Sequence, residues 1–157
     1  MEQARGFLAC AMELAYANLE GGGRPFGAVL VKDGKVIAKA ANEIVQSHDP
    51  TAHAEMLAIR RASQTLGSAN LEGCIMYASG QPCPMCMGAM RLAGIRQVFF
   101  AYSNEDGEPF GLSTAAIQAD LARPLAEQSM MIRHEPVRLA GRENMYADWQ
   151  RQQHSGH

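Results

Sequence analysis

Apolar residues recur at Phe7, Cys10, Ala11, Leu14 and Ala17, the three-and-four spacing of one helix face, and the pattern stops at Gly21-Gly22-Gly23. The spacing predicts an amphipathic helix over this first segment. Phe26 to Val31 is a short apolar run, Asp33-Gly34 follows, and Val36-Ile37-Ala38 resumes the apolar pattern. An Asp-Gly pair between two such runs predicts a β-hairpin. Asp49-Pro50-Thr51 reads as a turn leading into a helix from about Ala52 to Leu66. Cys74 to Ala78 reads as a buried strand, broken by Gly80-Gln81-Pro82. A helix from about Pro84 to Ala93 comes next, with proline suited to its first turn. Gln97 to Tyr102 reads as a strand, Ser113 to Leu121 as a helix, Met130 to His134 as a weak strand and Glu143 to Gln152 as a terminal helix. A helix, a hairpin, then alternating strands and helices give an α/β layered domain with parallel pairings after the hairpin. No internal repeat or linker divides the 157 residues, which read as one domain.

Composition narrows the picture. Hydrophobic residues make up 47% of the chain, enough for a compact core. The formal net charge of −2 does not favour docking on a phosphate backbone. The N-terminal residues lack the layout of a signal peptide, and no apolar run reaches the length of a membrane span. The four cysteines, Cys10, Cys74, Cys83 and Cys86, then read as thiols or metal ligands in a cytoplasmic protein, not as a disulfide framework.

Two short motifs carry the chemistry: His53-Ala54-Glu55 and Pro82-Cys83-Pro84-Met85-Cys86. A Cys-x-x-Cys pair at a helix start turns both sulfurs toward one point, and the helix N-terminus favours the thiolate that binds metal. One His and two Cys leave tetrahedral zinc one ligand short, the arrangement of a catalytic site with water in the open position. Zinc lowers the pKa of that water toward about 7. Glu55, two residues from His53, is placed to move protons and not to bind the metal beside it. A lone Cys-x-x-Cys also fits a thioredoxin-like redox site, but the upstream His-x-Glu favours the metal. Together the two motifs form the signature of zinc deaminases. Cys74 reads as a core thiol in mid-strand and Cys10 as core on the first helix. His48, His134, His154 and His157 have no partner at ligand spacing.

The sequence resembles the cytidine/deoxycytidylate deaminase superfamily, and within it small bacterial guanine deaminases and plant guanosine deaminases. The stretches that carry the likeness are Pro25-Phe26-Gly27-Ala28-Val29, Val31-Lys32-Asp33-Gly34, Asp49 to Glu55 with Ala58-Ile59-Arg60, and Pro82 to Ala89. It covers most of residues 1–105 and is looser beyond, although Met145-Tyr146-Ala147-Asp148-Trp149 still resembles the family's terminal helix. The resemblance implies a three-layer fold with a mixed five-stranded sheet flanked by helices, with a zinc site of His53, Cys83 and Cys86 and with Glu55 as proton shuttle. It implies substrate contacts from Asn42, whose amide offers donor and acceptor, from Phe26 against the ring, and from the backbone of Ala54. It further implies a homodimer in which the C-terminal segment, about 140–157, closes over the pocket, sometimes from the partner subunit, with Tyr146 and Trp149 as the contacting residues.

The chain also departs from these relatives. Gly80-Gln81 stands where they often carry Cys-Glu or Leu-Glu. Phe110-Gly111-Leu112-Ser113 lacks the acidic pair that usually follows the aromatic and suits guanine's N–H groups. Glu105, Asp106, Glu108 or Glu143 are the candidates to replace it. The expected reaction is hydrolytic deamination of a small aminated heterocycle, with guanine first. The alternatives are cytosine, isocytosine or another aminopyrimidine, a pterin or a triazine, then adenosine in tRNA, then a non-catalytic zinc domain.

Overall fold

The structure, a computed structural model, describes residues 2–155. Its contacts divide the chain into two compact units, residues 1–123 and 124–157. In the first, α1 (Glu2–Glu20) precedes the hairpin of β1 (Gly27–Lys32) and β2 (Lys35–Ala41). Asp33 and Gly34 both take positive φ, 50° and 77°, the type I′ turn whose twist matches the strands it joins. A short α2 (Ile44–Ser47) leads to α3 (Ala54–Leu66), then β3 (Cys74–Gly80), α4 (Pro84–Ala93) and β4 (Gln97–Tyr102). α5 (Asn104–Gly107), a 3₁₀ turn and α6 (Ala115–Leu121) complete the unit.

The sheet order is β2-β1-β3-β4. β1 runs antiparallel to both β2 and β3, and β3 and β4 are parallel. The expectation of parallel pairing after the hairpin therefore holds for β3–β4 but not for β1–β3. Helix α3 returns the chain to the direction of β2, so β3 meets β1 head to tail. The expected fifth strand is absent among the described residues: 130–134 carries no regular structure, and the sheet has four strands. The physical reason is that Met130 and Met131 in succession are exposed, so the stretch has no alternating buried face to fix it as a strand.

Alternation along β1 separates two cores. Ala28 and Leu30 face one side with Ala54, Ala58 and Ala62 of α3 and Met90 and Ala93 of α4. Val29 and Val31 face the other with Phe7, Ala11 and Leu14 of α1 and Tyr77 of β3. Helices on both faces give the expected three layers. Small residues dominate the α3 contact, so that helix can lie close on the sheet. The largest fully buried side chains, Leu30, Leu71 and Met76, each contribute about 1.5–3 kcal/mol of burial. Cys74 is buried in the first core, and Cys10 is half-buried beside the second.

The second unit contains a 3₁₀ turn (Leu125–Glu127), a bridge between Leu139 and Arg142, and α7 (Met145–Ser155). His154 is exposed on α7, and His157 lies outside the described residues.

Candidate active site

Both ligand-bearing segments follow strand ends. β2 and β3 are each antiparallel to β1 and so parallel to one another. Their C-terminal ends therefore lie at one end of the sheet, and the helices that follow, α3 and α4, begin there. Strand C-termini are where open α/β sheets place their sites.

Local hydrogen bonds set the geometry of each segment. Asp49 Oδ1 accepts the amide and the hydroxyl of Thr51 at 2.8 and 2.7 Å. Ala52 N–H donates to Asp49 O and His53 N–H to Thr51 O, and the carbonyl of Ala52 accepts Glu43 N–H. His53 is thereby held in extended backbone as the residue before α3, which starts at Ala54, two residues later than the sequence pattern suggests. Cys83 occupies the equivalent position before α4, again extended, with Pro84 in the first turn. Cys86 follows three residues later on the same side.

His53 Nδ1, Cys83 Sγ and Cys86 Sγ form a triangle with edges of 3.4, 3.6 and 3.7 Å. Tetrahedral zinc bonded at about 2.3 Å to sulfur and about 2.05 Å to nitrogen requires edges of about 3.8 Å between sulfurs and about 3.6 Å from sulfur to nitrogen. The donor set and its spacing therefore fit that ion. Among the described residues these three form the only cluster of potential ligands of this size, and Cys74, His48 and His134 stand outside it.

The charges agree with a metal site. Cys83 is pulled down to about 4 by the hydrogen bond from the Cys86 thiol, with His53 adding to the effect. Cys86, the donor in that bond and itself buried, is pushed up, so one proton stands between two sulfurs that a divalent cation would hold as thiolates. His53 is raised, chiefly by its hydrogen bond with Cys83. Glu55, 7% exposed in the first turn of α3, is raised by burial. A carboxyl group moved toward neutrality is suited to taking and giving protons.

These residues line a pocket of about 290 Å³ together with Arg24, Phe26, Asn42 and the stretch Gly111 to Thr114. Asn42 is buried at the end of β2, where its Oδ1 accepts Ile44 N–H at 2.9 Å. That bond takes one of the two acceptor positions of Oδ1 and leaves Nδ2 as a donor. Phe26 lies against Gly80, where an added Cβ would sit 3.2 Å from the ring. Ala54 is fully buried as the first residue of α3 and is not among the lining residues. Of the acids considered as replacements, those in the first unit do not line this pocket. Asp106 is committed to a capping box with Ser103, and Glu105 and Glu108 are exposed. Glu143, in the second unit, accepts Gly141 N–H. Tyr146 and Trp149 lie on α7, 80% and 61% exposed. Sequence reading missed Arg24 and Thr114, since neither lies at a spacing that signals chemistry. A larger apolar cavity of about 600 Å³ adjoins the pocket, sharing Phe26, Gly80, Gln81 and Leu112.

Residues 1–102 match the cytidine and deoxycytidylate deaminase zinc-binding region. The chain belongs to that deaminase family. It is thus a zinc-site hydrolase of C–N bonds. Relatives lie on more than one branch. The chain is 43% identical to a guanine deaminase of Bacillus subtilis (strain 168) over 125 residues, 79% of this chain and 80% of that protein. It is 45% identical to a tRNA-specific adenosine deaminase of Aquifex aeolicus (strain VF5) over 95 residues, 60% of this chain and 63% of that one. A crystal structure of guanine deaminase from Bacillus subtilis superposes with a TM-score of 0.82 at 38% identity, covering 96% of this chain and 93% of the other. No helix among the described residues is long and apolar enough to cross a membrane.

Proposed function

We propose that this deaminase acts on a free aminated heterocycle, with guanine, giving xanthine and ammonia, as the first substrate. The carrying observation is the extent of likeness. In sequence the two branches cover similar shares of the chain, 79% at 43% identity for the guanine deaminase and 81% at 36% for a tRNA-specific adenosine deaminase of Bacillus subtilis, but in structure the guanine deaminase matches 96% of the chain at a TM-score of 0.82, against 63% at 0.61 for a tRNA:A34 deaminase. The pocket's size, about 290 Å³, suits a small ring system.

A zinc ion held by His53, Cys83 and Cys86 supplies Lewis-acid activation of the attacking water. Glu55 takes a proton from that water at a carboxylate oxygen and passes it to a ring nitrogen. It then delivers the next proton to the departing amine, so that ring amine and water become ring carbonyl and ammonia. Burial keeps the shuttle out of bulk water and raises its pKa. Asn42 Nδ2 donates to an acceptor on the ring edge, and Phe26 packs on the ring face.

The segment 140–157 belongs to the same reading as a cover for bound substrate, with Tyr146 and Trp149 as its contacts, in a homodimer whose copies exchange that segment. Their exposure is consistent with that role. Two cysteines kept as metal thiolates suit a reducing, cytoplasmic setting. The test is ammonia release from guanine, guanosine, cytosine, isocytosine, adenine, pterin and aminotriazine, with zinc counted per chain. About one zinc and turnover of guanine support the proposal. Zinc-free activity, or turnover of another ring with none of guanine, overturns it.

A further inference from the structure

Among the described residues, every buried side-chain oxygen and nitrogen has a hydrogen-bond partner except one, Oγ1 of Thr114. Thr114 immediately precedes α6, where a threonine hydroxyl ordinarily turns back to the helix amides. Here it makes no such bond. The backbone is held independently of the side chain, because Thr114 N–H donates to Asn104 Oδ1 at 3.2 Å and its carbonyl accepts Gln118 N–H at 3.0 Å. The residue lines the same pocket as His53, Glu55 and Asn42. A buried hydroxyl left unpaired is costly, and an orphan beside a reactive centre marks a group kept for something that binds there.

Its neighbours narrow what that is. Glu55 is the only carboxylate lining the pocket. Asn42 offers Nδ2 as a donor, while one of the two acceptor positions of its Oδ1 is taken by Ile44 N–H. Turned toward the pocket, the Thr114 hydroxyl can meet a ring N–H as well as a ring carbonyl, because a hydroxyl does both. A rotation about χ1 exchanges Oγ1 with the methyl between staggered positions and brings the hydroxyl to a bound ring. We propose that Thr114 is the ring-specificity residue of this site, contacting with Asn42 Nδ2 the polar edge of a neutral amino-oxo heterocycle. A carboxylate at this place would accept only and would select an N–H edge. The hydroxyl admits a mixed edge, so guanine and isocytosine both fall within its class. This rests on the deaminase reading above.

The test uses the zinc-loaded full chain and Thr114→Val and Thr114→Ser. It reads KM for guanine and isocytosine, the dissociation constant of xanthine by titration, zinc content and Tm. Thr114→Val is expected to weaken ring binding about tenfold or more, the effect of one lost buried hydrogen bond. Its zinc content is expected to be unchanged and its Tm equal or higher, because an unpaired hydroxyl has been replaced by a methyl. Thr114→Ser is expected to stay within about threefold of wild type. Ring binding unchanged in Thr114→Val overturns the proposal. So does a fall in Tm matching the fall in affinity, which would make the residue structural. Rings that bind in a Thr114-dependent way without ammonia release leave Thr114 in its role and remove the deaminase reading. A wild type that binds none of the three rings overturns both.

Discussion

Gly27 separates a steric prediction from a conformational one. It begins β1 beside the pocket residue Phe26, under α1. A Cβ added there would lie 2.3 Å from Ala11 O, 2.8 Å from Leu14 Cβ and 2.9 Å from Ala15 N. Two of the three are backbone atoms of α1, which cannot turn aside as a side chain would. Gly27→Ala must therefore push the helix off the sheet and open the core of Val29, Val31 and Tyr77. Overpacking costs about 1–3 kcal/mol when side chains can adjust, and rigid backbone puts this case at or above about 3 kcal/mol. At about 2–4 °C per kcal/mol for a chain of this size, Tm should fall by roughly 6–12 °C. Gly88 is the control. It lies inside α4 with nothing within 4 Å of an added Cβ. Gly88→Ala should gain about 0.8–1 kcal/mol from helix propensity alone. Thermal and urea unfolding of both variants, zinc-loaded, checks the opposite signs. A Gly27→Ala protein as stable as wild type would refute the close packing of α1 on β1, and with it the support given to Phe26.

Glu55→Gln should retain its zinc yet lose at least about 10²-fold in kcat, checked by ammonia release against metal content; near-normal turnover removes the proton shuttle. His53→Ala, Cys83→Ser and Cys86→Ser should each lose most bound zinc in equilibrium dialysis, and chelation of wild type should lower Tm, since the metal binds the folded triangle in preference to the unfolded chain. Asp49 gives a pH prediction with a definite sign. Hydrogen bonds from Thr51, the side chain first, hold its carboxyl below the ordinary 3.8. A lowered folded pKa contributes stability that is complete above 3.8 and lost as pH falls through the lower folded value. The Tm difference between wild type and Asp49→Ala should be constant from about pH 5 to 7 and shrink below 3.8; a difference that widens in acid refutes the assignment.

The metal site was legible in the sequence because its logic is local. Cys83 and Cys86 lie one helical turn apart at a helix start, and His53 opens the helix after a turn that Asp49 caps. Short-range geometry and ligand chemistry therefore name the three donors and Glu55 without a fold. The hairpin was equally local, since Asp33-Gly34 admits the positive φ that a tight turn demands. What only the tertiary structure decided depends on residues distant along the chain. The antiparallel β1–β3 pairing brings β2 and β3 to one end of the sheet and so brings His53 within 3.4 Å of Cys83. The missing fifth strand turned on whether 130–134 finds a partner, which a weak apolar run does not specify. Asn42 has one acceptor position taken by Ile44 N–H, and Asp106 is drawn into a cap. Thr114, silent at the level of spacing, becomes the unpaired polar group in the pocket because α6 starts beside it without using its hydroxyl. Reaction chemistry is written in short motifs; the side chains that share the pocket wall are brought together only by folding.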